Sequence, residues 1–113
     1  MARLLLCLLA FAFLPGCASN EEQTGAGARG EAIVSANCSS CHAIGRSGDS
    51  PASQAPPFRT LSQNYPVSDL EEALVEGISV GHPAMPQFAF TSQDAHAVVL
   101  YLQTIQDPGE TGN

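Results

Sequence analysis

A chain of 113 residues has room for one domain, and 44% hydrophobic residues give it enough apolar mass to fold. A core this small calls for a disulfide, metal or cofactor, and with no tryptophan and two tyrosines little aromatic side chain competes for that space. The formal net charge of −7, with no lysine anywhere, excludes the basic footprint of a nucleic-acid binder and reads as a solvated acidic surface.

Met1-Ala2-Arg3 followed by the apolar run Leu4 to Leu14 reads as a secretory signal, since the run is too short to span a bilayer. It ends at Leu14-Pro15-Gly16-Cys17, where a small residue precedes a cysteine as in a bacterial lipobox. The expectation is that residues 1–16 are removed and that Cys17 carries lipid, giving an exported, periplasmic, membrane-anchored protein. Ordinary cleavage after Ala18 is the alternative. Either way Arg3 is lost and the net charge becomes −8, because no acidic residue precedes Glu21.

Residues 17–27 are polar and rich in small residues, which predicts a flexible linker. The folded domain is expected over 28–107. A helix over 28–37 would present Ala32, Ile33 and Ala36 as its apolar face, and it runs into Cys38-Ser39-Ser40-Cys41-His42. From Gly45 to Pro57 the composition is that of a loop. Ser68 and Glu71 have capping-box spacing ahead of a second helix, with Leu70, Ala73 and Leu74 as its stripe and Gly77 as its stop. Two prolines then bracket Met85, so His82 to Phe88 can be neither helix nor central strand. Thr91, with Asp94 three residues on, predicts the start of a last helix that carries Ala95, Val98, Val99, Leu102 and Ile105 at helical spacing. It fades by Asp107, leaving 108–113 as a disordered tail. No strand pattern is visible, so the class is all-α.

The chemistry is concentrated at Cys38, Cys41 and His42. C-x-x-C-H is the attachment sequence of a c-type haem: two thiols on one helical turn can bond two vinyl groups, and the next imidazole can reach the iron. A Cys38–Cys41 disulfide or redox pair is the first competing reading, weakened by the following histidine and by the absence of a βαβ pattern. Half of a zinc site is the second, but His82 and His96 make no compact second pair. An exposed position is expected for both of these histidines.

Over residues 28 to 106 the chain resembles class I cytochrome c of the small single-haem bacterial type. Gly30 stands where that family has the glycine that lets its first and last helices cross. Val34 takes the place of a usual aromatic, and Tyr101, with Val98 beside it, matches the aromatic of the last helix. Met85-Pro86-Gln87-Phe88 matches the family's M-P-x-F pattern. The resemblance implies the cytochrome c fold and one covalent haem c. It implies iron held axially by His42 and Met85, with Pro56 (Pro57 as the alternative) accepting the imidazole N–H. Phe58 would cover the haem edge, and Arg59 and Tyr65 would bond its propionates. The implied role is single-electron transfer between redox proteins, a donor and an acceptor, by a monomeric domain that is not an enzyme. A haem-based gas sensor and a fixed subunit of an oxidoreductase complex are the rival readings. The mitochondrial style of docking through lysines is not available to this chain.

Overall fold

The structure, a computed structural model, describes residues 18–77 and 84–109. The signal segment, Cys17, His82 and the end of the tail lie outside the described residues. The described residues form three α-helices, α1 (Ala18–Asn37), α2 (Leu70–Glu76) and α3 (Ser92–Ile105), with 3₁₀ segments at Phe58–Gln63 and Val67–Asp69. Among the described residues there is no strand.

Helix α3 is the spine. Thr91 caps it, accepting the Asp94 N–H at 3.2 Å and donating its hydroxyl to the Asp94 carboxylate at 2.9 Å. Ala95, Val98, Val99, Leu102 and Ile105 are all buried, as their spacing requires. Burial of such aliphatic side chains contributes roughly 1.5–3 kcal/mol each. At its far end Gln106 donates to the Phe58 and Leu102 carbonyls at 2.8 Å and accepts from the Ser62 N–H at 2.9 Å. One amide thus staples the 3₁₀ segment to the end of α3.

Helix α1 crosses α3 at Gly30. A Cβ built there would lie 1.9 Å from the Ala97 carbonyl oxygen and 2.9 Å from the Tyr101 Cβ, so no side chain fits. Val34, one turn on, is fully buried. The buried face is therefore Gly30, Ile33 and Val34, while Ala32 and Ala36 are exposed. The expected face was drawn through the small apolar residues; the helix is instead oriented by the one position that permits backbone contact. Arg29 ties the same crossing from outside, with its guanidinium 2.6–2.8 Å from the Asp94 carboxylate.

The helix also starts earlier than composition suggests. Where a linker was expected over 17–27, α1 is continuous from Ala18. Extension of a helix already nucleated against α3 costs far less than starting one, which offsets the weak propensities of Gly25 and Gly27.

Prolines set the middle of the chain. Pro57 and Pro66, both near φ −60° with extended ψ, launch the two 3₁₀ segments. The second segment runs directly into α2, so Asp69 precedes that helix in helical conformation and no side chain caps it. The expected Ser68–Glu71 capping box does not form; the Glu71 carboxylate instead contacts His96 Nδ1 at 3.1 Å. Gly77 ends α2 at φ +96°, a conformation open to glycine at little cost.

Candidate functional site

The last turn of α1 carries on into the Cys38–His42 motif. The Cys38 N–H bonds the Val34 carbonyl at 2.8 Å, and the His42 N–H bonds that of Cys38 at 2.9 Å. Ser39 returns its hydroxyl to the Ser35 carbonyl at 2.6 Å, and Asn37 its amide to Ile33 at 2.8 Å. These bonds occupy carbonyls that a helix end leaves open. Cys38 and Cys41 are both free thiols, half-buried. Burial pushes the Cys38 thiol up to about 11, so it is neutral at ordinary pH. Neither thiol is spent on the disulfide considered from the sequence.

The loop after the motif folds back on it. Ala52 N–H bonds the Cys41 carbonyl at 3.1 Å, Phe58 N–H bonds Ala43 at 2.9 Å, and the Ser50 hydroxyl accepts from Ala43 N–H at 3.0 Å. Tyr101, on α3, donates its hydroxyl to the Ile44 carbonyl at 2.9 Å. The result is a fixed place for His42. Its Nδ1 lies 2.8 Å from the Pro56 carbonyl oxygen, and its ring rests against that of Phe58 with centroids 4.5 Å apart. A carbonyl can only accept, so Nδ1 carries the proton and Nε2 keeps its lone pair for a metal. Pro56, rather than Pro57, is the acceptor.

Met85 lies in the turn at residues 84–85, ahead of an irregular run to Thr91. That run is held by the Phe90 N–H bonding the Leu74 carbonyl at 2.9 Å, and Phe88 and Phe90 stack at 5.7 Å. His42 and Met85 together border two cavities. The inner one, about 300 Å³, is walled by Ile33, Cys38, Val98 and Leu102 from α1, its end and α3, by Phe58, Leu61 and Tyr65, and by Leu70, Leu74, Phe88 and Phe90. The outer one, about 190 Å³, is bordered by Cys41, Asn37, Ser40, Ala52, Gln54, Ala55, Ala84 and Pro86, none of them charged. A flat, largely apolar ring bonded through one thioether link to each cysteine fits such a divided space. The donor set also fits iron: a neutral imidazole nitrogen and a soft thioether sulfur face the same two cavities.

Most residues singled out from the sequence meet here: Cys38, Cys41, His42, Pro56, Phe58, Tyr65 and Met85. Arg59 borders neither cavity. Its guanidinium donates to the Gly48 carbonyl at 2.7 Å and lies 3.6 Å from the Asp107 carboxylate. Tyr65 is 38% exposed, and partial burial raises its phenol above the ordinary value. His96 is exposed, beside Glu71. Leu61 and Phe90 were missed as cavity residues. Phe90 had a signal, because Phe88 and Phe90 share one side of an extended run. Leu61 had none apart from being apolar. Among the described residues, which do not include His82, no three His, Cys, Asp or Glu side chains gather as a metal cluster.

The sequence model of the cytochrome c family matches residues 27–106. No curated protein and no solved structure matches the chain. A family match over most of its length, the all-α fold and the divided apolar crevice agree: the chain belongs to the cytochrome c family and is an electron-transfer protein that binds iron in a covalent c-type haem.

Proposed function

We propose that this protein is an exported single-electron carrier with one haem, attached through Cys38 and Cys41 and ligated by His42 and Met85. The observation that carries the reading is the shared position of His42 and Met85 on both cavities, with His42 Nδ1 already engaged by Pro56. Bound haem supplies an iron that takes up and releases one electron at a time. The chain does the rest. His42, its tautomer set by the Pro56 carbonyl and its ring backed by Phe58, offers Nε2 without rearrangement. Met85 would hold the iron through a neutral thioether, a donor that favours the ferrous state. The aliphatic and aromatic walls keep water out, so little solvent reorients when charge changes. The outer cavity is the side on which a donor or acceptor protein can approach.

The leader, the Gly16-Cys17 pair and the absence of any described helix long and apolar enough to cross a membrane fit export followed by lipidation of Cys17, with the domain on the periplasmic side. The test is spectroscopic. The purified holoprotein should show one low-spin haem that resists acid-acetone extraction, with a near-infrared sulfur-to-iron band when oxidised. Met85→Ala should abolish that band and let carbon monoxide bind the reduced form. Persistence of the band in Met85→Ala rules out the thioether ligand.

A further inference from the structure

Helix α1 is longer than the fold requires. The family match begins at residue 27, yet the helix begins at Ala18 and runs without a break into the two haem cysteines. Residues 21–25 are exposed, and a Cβ at Gly25 or Gly27 would meet nothing within 4 Å. Neither glycine interrupts the helix, which is continuous over Ala18–Asn37, and positive φ among the described glycines occurs only at Gly48 and Gly77. The first turn carries Glu21, which the helix dipole favours, and Glu22 follows it. No cation stands before Arg29 in α1.

We propose that residues 18–27 are a stiff helical arm that holds the haem motif at a fixed span from the membrane anchor, in place of a slack tether; this rests on the reading that Cys17 carries the lipid. One helix of 20 residues sets that span at about 30 Å. Residues 18–27 contribute about 15 Å of it. A coil of the same ten residues would have a similar root-mean-square reach of about 15–20 Å, but with every distance from contact to full extension populated. Glu21 and Glu22, with no basic neighbour, keep the arm from lying along anionic headgroups, which attract basic segments and repel acidic ones. The partner that fits is a redox protein whose centre sits in a domain raised above the bilayer. A cofactor immersed in the lipid is out of range of a crevice carried on an upright arm.

In the lipidated holoprotein every native cysteine is consumed, so Glu21→Cys and Gln103→Cys can be spin-labelled uniquely and their separation measured by dipolar electron resonance. A single narrow distance distribution is expected, and Ala26→Pro in the same background should broaden it by breaking the helix. A distribution in the parent as broad as in the proline variant overturns the arm. In vesicles of phosphatidylcholine and phosphatidylglycerol with a headgroup dye, haem quenching of the dye should rise several-fold in Ala26→Pro. Equal quenching in both forms overturns the stand-off. An intact mass that starts at Ser19, without Cys17 and its diacylglycerol, overturns the anchor reading alone, because the two introduced cysteines are then still the free thiols and their distance still reports the arm.

Discussion

Helix α1 holds two regions of opposite character within 20 residues. Its second half is pressed against α3 so closely at Gly30 that a methyl group would enter the Ala97 carbonyl, and Val34 has no exposed surface. Its first half carries Gly25 and Gly27 in open space. The same residue type is thus a packing necessity at one position and a propensity penalty a turn earlier. What separates the two is the neighbour, and nothing in the helix itself.

Substitution can break that contrast. Gly30→Ala forces the helix axes apart and should cost about 3 kcal/mol, the upper range of overpacking, read as a fall in the denaturation midpoint of the holoprotein. Val34→Ala leaves a cavity beside Ala95 and Val98 and should cost about 2 kcal/mol in the same measurement. Gly25→Ala and Gly27→Ala should do the reverse. Each removes a helix penalty of about 0.5–1 kcal/mol, and amide exchange across residues 22–27 should slow accordingly, with the global midpoint almost unmoved.

The smallest effect lies at the seam between the halves. Arg29 beside Asp94 holds that carboxyl below its ordinary value, helped by the Thr91 hydroxyl. A lowered folded value means the stabilisation is complete above the ordinary carboxylate range near pH 4 and fades as pH falls through the folded value. Arg29→Gln should therefore lower the neutral plateau of the stability profile slightly and make its fall below pH 4 shallower, the variant and the parent converging at the acid end, as an acid titration followed by circular dichroism would show.

The same contrast explains what could be read in advance. Helix α3 was legible from Thr91 to Ile105, because its cap and apolar spacing agree and both are local. The covalent motif was legible because five consecutive residues carry it. Met85 and Pro56 were legible only through family resemblance; no local rule ties a methionine to a histidine 43 positions earlier, and the two share their cavities only in the folded chain, where Phe90 is bonded to Leu74. The face of α1 was misdrawn because hydrophobicity ranks Ala32 above Gly30, whereas the crossing selects for smallness. The Ser68–Glu71 spacing promised a cap, but Pro66 started a 3₁₀ turn one step earlier and left Glu71 to His96. The early start of α1 was invisible to composition, since polar small residues are equally at home in coil until a neighbouring segment nucleates the helix for them.

Each of the three arginines of the described residues is engaged within the chain: Arg29 with Asp94, Arg46 with the Thr104 carbonyl and Arg59 with the Gly48 carbonyl. With no lysine in the chain and, among the described residues, no acidic or basic side chain but His42 on the rim of the outer cavity, the crevice offers an incoming protein little local charge to sense. Recognition there is left to contour at van der Waals range, and dissolved ions, which weaken attraction between oppositely charged faces within about 10 Å, have little at this rim to weaken.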